Sequence, residues 1–302
     1  MSPTPNQSTC AFDRVAVLYH PKIEATKPIA KEIHEWLKDQ GMEAWLALTW
    51  DEVDVRSNLD ETDLAIVLGG DGSMLRAARM TAGKDIHILG VNMGRLGFLT
   101  EVTPGNWRER LPHVLAGDYW VERRMMLEAE AWRGETPLGR YLALNDIVIS
   151  RGTLARVVEL RTEIDGEELT TYVADGLIVS TPTGSTAYAL AVGGPVLPPD
   201  LRNILVIPIA PHLTLNRAIV LSEGAMVRVH VGTDHEAILT VDGQFAFELQ
   251  DNDRIDVHTS SSVSRFIRLG KPTYFYHMLL ERLEPKRIDP DNGQVDVGTD
   301  NG

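Results

Sequence analysis

The chain has 302 residues, with 29 Lys and Arg against 43 Asp and Glu and a formal net charge of −14. That length suggests two domains, and 43% hydrophobic residues suffice for packed cores, which excludes disorder over most of the chain. The acidic balance excludes a protein that coats nucleic acid or an anionic bilayer, since such affinity comes from clustered Lys and Arg; small anionic ligands remain open. Cys10 is the only cysteine, so neither an intrachain disulfide nor a Cys-ligated cluster can form, and a reducing, cytoplasmic location is expected. The first twelve residues lack a charged and apolar leader pattern, and 18 consecutive apolar residues occur nowhere, so secretion and membrane spanning are not expected.

In chain order, Arg14 to Tyr19 has the composition of a buried strand. Pro28 opens a helical segment with Ile29, Ile33, Trp36 and Leu37 on one face, and Gly41 stands just past its end. A strand at Ala44 to Leu48 precedes an acidic stretch. Leu64 to Leu68, a helix from Met74 to Met80 and a strand at Ile86 to Val91 follow. This alternation predicts a mainly parallel sheet with helices on its faces. From about Arg124 strand-like runs recur at short spacing: Leu142 to Ser150, Val157 to Ile164, Leu169 to Val173, Leu177 to Ser180, Ile204 to Ile209, Val227 to Val231, Ile238 to Val241 and Val263 to Leu269. Asp165-Gly166 and Asp242-Gly243 suit tight hairpin turns, so this part is expected to be mostly antiparallel β. Thr273 to Leu283 has a helical pattern.

The predicted fold class is therefore α/β plus all-β. An α/β domain over residues 1–124, to which 271–284 return, precedes a β-rich domain over 125–270. The tail, 285–302, has almost nothing to bury and is expected to be disordered.

Three clusters can carry chemistry. Gly69-Gly70-Asp71-Gly72-Ser73 lies between a strand and a helix, where backbone amides and a helix N-terminus bind phosphate. A carboxylate there repels phosphate, so Asp71 makes sense against a hydroxyl about to be phosphorylated or against Mg²⁺; alternatively it only N-caps the helix. Gly69, Gly70, Gly72, Ser73 and Arg76 are the candidates for binding phosphate, including that of ATP if ATP is used. No G-x-x-x-x-G-K-[ST] motif exists, so a P-loop is excluded. The second cluster, Ser180 to Tyr188, offers five hydroxyl side chains of little bulk before the tyrosine, suited to ribose, phosphate or amide recognition, or else forms a polar surface loop. The third, Asn145-Asp146, interrupts an apolar run and is either a site or a bulge or strand start. The nine histidines show no H-E-x-x-H pattern, and the tryptophans have no basic stripe that would make them stacking platforms.

Taken together and in this order, Gly69 to Leu75, Gly90 to Leu99, Leu144 to Ile149, Asp175 to Tyr188, Gly193-Gly-Pro195 and Val241 to Gly243 resemble the NAD kinase family from about Arg14 to Leu283. The Gly-Gly-Asp-Gly turn alone is shared with phosphofructokinases and with lipid kinases of the diacylglycerol type. The resemblance implies ATP-dependent phosphorylation of the adenosine ribose 2′-hydroxyl of NAD, with Mg²⁺ carried by ATP and no dedicated protein metal site. It implies that Asp71 contacts the 2′-hydroxyl, that Phe98 lies beside the adenosine, that Asn145 contacts adenine or ribose, and that Asp146 grips ribose hydroxyls. Gly70, Gly72, Asn92, Thr183, Thr186, Ala187 and Tyr188 fall on positions of the NAD cleft. Asp175 falls on one that reaches a neighbouring subunit's site, which implies a homodimer or homotetramer. Departures are Asp146 where glutamate is commoner, Gln244 where histidine is frequent, and a loose match over His212 to Arg217.

A kinase of another small hydroxyl compound and a non-catalytic dinucleotide sensor are the alternatives. Because phosphoryl transfer has a loose transition state, Asp71 is expected to orient the hydroxyl and accept its proton late. Between Asp63 and Thr100 four cations face three carboxylates, so the acidity lies elsewhere in the chain.

Overall fold

The computed structural model describes residues 12–94, 97–152, 156–212 and 215–283. Cys10 and the 285–302 tail lie outside them. The first part alternates strands and helices: β1 Arg14–Tyr19, α1 Thr26–Asp39, β2 Glu43–Leu48, α2 Glu52–Asn58, β3 Leu64–Gly69, α3 Asp71–Thr81, β4 His87–Asn92 and α4 Trp107–Leu115. Helix α1 buries Ala30, Ile33 and Leu37 on one face, and Gly41, with φ of 86°, ends it in the left-handed conformation that glycine adopts freely.

The remainder is nearly all strand: β5 Trp120–Arg133, β6 Thr136–Ala143, β7 Asp146–Arg151, β8 Val158–Ile164, β9 Glu167–Ala174, β10 Gly176–Ser180, then a short helix α5 Tyr188–Ala191, followed by β11 Asn203–Ile209, β12 Ile219–Ser222, β13 Val227–Gly232, β14 Ala237–Val241, β15 Phe245–Leu249 and β16 Asp253–Arg268. Asp165-Gly166 and Asp242-Gly243 form hairpin turns, all four residues having positive φ.

Strands β2-β1-β3-β4 are parallel, as the alternation predicts, and successive residues serve opposite faces. Ala16, Leu18, Ala65 and Val67 enter one core, and Val15, Val17, Leu64 and Ile66 the other. β16 joins this sheet by pairing in parallel with β4 at Arg265 and Phe266, and continues antiparallel to β5 and β13. One ten-stranded sheet thus carries both strand patterns. A second, six-stranded antiparallel sheet, β12-β11-β10-β7-β14-β15, shares with the antiparallel part a core that includes Leu127, Ile147, Leu160, Leu177, Val206 and Val229. Arg124, where the sequence changes texture, lies inside β5. The helix anticipated near the C-terminus is α6, Tyr274–Leu283, in a separate compact unit that begins at Gly270. Among the described residues no helix is long and apolar enough to cross a membrane.

Two expectations change. The run from Leu142 to Ser150 is not one strand: it bends at Leu144 and Asn145, between β6 and β7. β5, β6, β12, β15 and the first half of β16 were not apparent in the apolar pattern; in β5 the reason is that Glu122 and Arg124 point inward as buried ions, inverting the usual alternation.

Candidate functional site

The glycine turn closes β3 and opens α3 at the carboxyl edge of the parallel sheet, where open α/β sheets bind ligands. Gly70, not Asp71, holds the cap position. Asp71 instead turns toward the segment after β4: the Phe98 amide donates to its Oδ2 and the Leu99 amide to its Oδ1, both at 3.1 Å. The capping alternative therefore fails, and the carboxylate has a fixed direction. Gly97 makes this possible, because a Cβ there would collide with the Asp71 carboxylate. Asn92, beside Gly69 in the sheet register, bonds the backbone of Gly94 through its side chain (2.8 and 3.3 Å) and so shapes the start of the same segment.

Asn145 and Asp146 stand at the start of β7, the strand-start alternative, and a third carboxylate holds them there. Asp242, from the β14–β15 turn, accepts the backbone amides of Leu144 (3.2 Å), Asn145 (2.7 Å) and Asp146 (3.2 Å). Arg79 of α3 pairs with Asp242 at 3.0 Å and donates to Gln244 at 2.8 Å, while Gln244 donates to the Gly72 carbonyl at 2.6 Å. The glycine turn is thereby tied to the Asn145 turn. The side chains of Asn145 and Asp146 have no hydrogen-bond partner among the described residues, although Asp146 is buried. Burial and the nearby charge of Asp242 push the Asp146 carboxyl up to about 7. Burial also raises Asp242, against the opposing pull of Arg79 and the Asn145 and Leu144 amides.

The Ser180 to Tyr188 segment is not a polar surface loop. Ser180, Thr181, Thr183 and Ser185 are buried, and three of these hydroxyls serve the backbone: Thr181 donates to the Leu144 carbonyl (2.6 Å), Ser180 to that of Asn145 (3.0 Å) and Ser185 to that of Pro182 (2.6 Å). Gly184 packs so closely on the Asn145 carbonyl that a Cβ would collide with it. Thr183 accepts from Arg124 at 3.1 Å, Thr186 donates to the Thr183 carbonyl at 3.1 Å, Ala187 is half-buried and Tyr188 is exposed.

A second buried ion network closes the ring. Glu122 accepts from Arg124 (2.8 Å) and from Arg268 (2.9 Å), and Arg268 also donates to the Phe98 carbonyl at 2.9 Å. Contacts thus run from Asp71 through Phe98, Arg268, Glu122, Arg124, Thr183, Gly184, Asn145, Asp242, Arg79 and Gln244 to Gly72. Burial would raise the Glu122 carboxyl, but the two guanidinium groups more than offset this and hold it below its ordinary value.

The structure sets two predicted residues apart from this ring. Asp175 precedes β10, whose far end, Ser180, pairs with Asp146, so about 17 Å of extended chain separates it from that site. It bonds Arg151 at 2.8 Å. Arg76 pairs with Glu52 at 2.9 Å and lies over the Trp50 ring at 4.7 Å, away from the Asp71 carboxylate around α3. Sequence reasoning missed the roles of Arg79, Glu122, Arg124, Asp242 and Arg268, whose partners are mostly distant in the chain. The one local signal was a pair of charges two apart, Glu122 and Arg124, within an otherwise strand-like segment.

Fold and site together define a protein of α/β plus all-β class with a glycine turn at the carboxyl edge of its parallel strands, the place where such sheets bind ligands. The family model for the ATP-NAD kinase N-terminal domain matches residues 15–119, and that for the ATP-NAD kinase C-terminal domain matches 144–269. The chain belongs to the NAD kinase family. It is 40% identical over 272 residues to an NAD kinase of Chloroflexus aurantiacus, covering 90% of this chain and 99% of that one. An NAD kinase of Syntrophotalea carbinolica is 40% identical over 256 residues, covering 82% and 90%. Among solved structures, yeast NADH kinase complexed with NADH superposes with a TM-score of 0.77 at 25% identity, covering 95% of this chain and 94% of that one. An NAD kinase from Archaeoglobus fulgidus in complex with ATP gives 0.73 at 30% identity, covering 88% and 97%.

Proposed function

We propose that this chain is an NAD kinase, transferring the terminal phosphate of ATP to the 2′-hydroxyl of the adenosine ribose of NAD and releasing NADP and ADP. The observation that carries this reading is the fixed Asp71 carboxylate at the phosphate turn, in a ring that ties that turn to the Asn145 and Thr183 segments. The Phe98 and Leu99 amides hold the Asp71 carboxylate in one direction, toward which the 2′-hydroxyl would be presented. Asp71 then orients that hydroxyl and takes its proton late. Asn145 addresses adenine or ribose, Asp146 the ribose hydroxyls, Phe98 the adenosine, and Asn92, Thr183, Thr186, Ala187 and Tyr188 the rest of the cleft. Gly69, Gly70, Gly72 and Ser73 face the transferring phosphate.

The donor set at the turn is one carboxylate among backbone amides, which fits a Mg²⁺ ion held chiefly by ATP phosphates and water. Such an ion neutralises charge on the phosphates. Asp175, remote from Asp146 in its own chain, serves the site of a neighbouring subunit in a homodimer or homotetramer, and the enzyme works in the cytoplasm on small molecules rather than nucleic acid. Purified protein incubated with NAD, ATP and Mg²⁺, and assayed with an NADP-specific dehydrogenase, tests the activity. NADP accumulation is the expected result. Binding of NAD without NADP formation from ATP or polyphosphate would leave a dinucleotide sensor instead.

A further inference from the structure

The side chains of Asn145 and Asp146 meet no hydrogen-bond partner among the described residues, whereas the backbone that carries them is fully engaged. All three amides from Leu144 to Asp146 converge on the Asp242 carboxylate at 2.7 to 3.2 Å. Their carbonyls are met in turn. Leu144 accepts from the Thr181 hydroxyl (2.6 Å), Asn145 from the Ser180 hydroxyl (3.0 Å) and the Thr181 amide (2.8 Å), and Asp146 from the Asp242 amide (2.9 Å). The turn is therefore clamped from both sides, and what it offers to a ligand is its side chains.

Turn chemistry does not account for a carboxylate at Asp242. The Asp242-Gly243 hairpin needs a residue that tolerates positive φ, and asparagine meets that need without burying a charge. At the matching place in the other hairpin, Asp165 is exposed and its carboxylate accepts one amide, that of Met226 at 2.8 Å. The Asp242 side chain has no exposed surface, and its two oxygens meet four donors: Oδ1 the Asn145 and Asp146 amides, Oδ2 the Leu144 amide and the Arg79 guanidinium. That fills the roughly four acceptor directions of a carboxylate. Successive amides turned onto one anion form a backbone nest of the kind that binds phosphate; here the anion is the chain's own.

We infer that Asp242 is a positioning residue of the acceptor site: it fixes the 144–146 backbone and so aims the Asn145 and Asp146 side chains at the adenosine half of NAD, without touching the substrate. Thr181 supports the same turn from the carbonyl side. The inference rests on the kinase reading above, which gives Asn145 and Asp146 their ligand. Its signature is a loss of acceptor affinity with the donor and the chemical step spared.

Asp242→Asn keeps the size of the side chain and suits the hairpin, but turns an NH2 group onto donors at one side of the clamp. Calorimetric titration with ADP-ribose, which carries the adenosine half of NAD, reads the effect without turnover. The wild-type chain is expected to bind it, and Asp242→Asn to bind at least about tenfold more weakly. In an Asn145→Ala background the same substitution should cost only about threefold, because one of the side chains it aims is gone. Equal losses in the two backgrounds overturn the inference, as does wild-type affinity in folded Asp242→Asn. Should that variant not fold, the Thr181 hydroxyl decides: Thr181→Val is expected to weaken binding about tenfold and Thr181→Ser to stay within about twofold of wild type. Wild-type affinity in Thr181→Val overturns the inference. In the turnover assay the KM for NAD rises about tenfold in Asp242→Asn while the donor KM and saturated turnover stay within about twofold. An equal rise in donor KM overturns it. Binding of neither ADP-ribose nor NAD by the wild-type chain overturns the inference together with the kinase reading. Binding of ADP-ribose without NADP formation removes the activity alone, and the titrations still decide the role of Asp242.

Discussion

Glu122 and Asp146 are both buried carboxylates beside the same site loops, and their surroundings drive them in opposite directions. Glu122 sits between two guanidinium groups, Arg124 and Arg268, and is held below its ordinary value. The Asp146 side chain has no hydrogen-bond partner among the described residues, faces the charge of Asp242, and is pushed up to about 7. The first region balances Arg124 and Arg268 with Glu122 and with Glu101, which lies 3.5 Å from Arg268, so the ion network is scaffold: it fixes the Phe98 and Thr183 segments. The second has two carboxylates and one arginine, an imbalance that a structural role does not explain and that a ligand with hydroxyl groups would relieve. Burial by itself therefore does not tell scaffold from recognition; the local charge balance does.

Replacing each acid by its amide should break this contrast in opposite directions. Glu122→Gln removes the carboxylate shared by buried Arg124 and Arg268 and should cost about 3–5 kcal/mol in urea unfolding at pH 7.5. Because its carboxyl is lowered, the Glu122 contribution is present above the ordinary glutamate value and is lost only as pH falls through the lowered one, so the deficit persists down to acid pH. Asp146→Asn should stabilise the apo protein at pH 8, by up to about 4 kcal/mol if the full rise to about 7 is felt. Here the sign reverses: wild-type stability is full below the ordinary aspartate value and is lost as pH rises toward 7, so the gain should fade by pH 4. The same variant should bind NAD more weakly. A loss of stability at pH 8 would refute the assignment of Asp146 as an uncompensated acid.

The smallest effect probes the tie between the two turns. Gln244→Ala removes the bonds to Gly72 and Arg79 and should cost about 1 kcal/mol. Combined with Glu122→Gln, on the opposite arc of the ring, its effect should add to within about 0.5 kcal/mol; a larger coupling would mean that the ring responds as one unit.

Legibility from sequence divides along a similar line. β1, β3 and β4 were readable because a buried parallel strand is a continuous apolar run, β2 because its edge strand is still largely apolar, and the Gly69 to Ser73 turn because its chemistry is local. Asp71 was readable as a site, but its direction was not, since the Phe98 and Leu99 amides that fix it lie 27 and 28 residues away. Asn145 and Asp146 marked a departure from the apolar pattern, yet the bend there depends on Asp242, nearly a hundred residues on. β5 escaped notice because buried Glu122 and Arg124 look like surface residues until Arg268 is placed beside them. Asp242 announced itself as a hairpin residue, correctly, while its carboxylate's role lay across the ring.

The central claim is that the fixed Asp71 carboxylate acts on the reacting hydroxyl rather than merely on binding. Steady-state kinetics of Asp71→Asn with NAD, ATP and Mg²⁺ test it most directly. Asparagine keeps the size of the side chain but accepts through only one atom, so turnover should fall by about 10²–10⁴ while the affinity for NAD, measured by titration, changes little. Comparable losses in turnover and in NAD affinity would contradict the account.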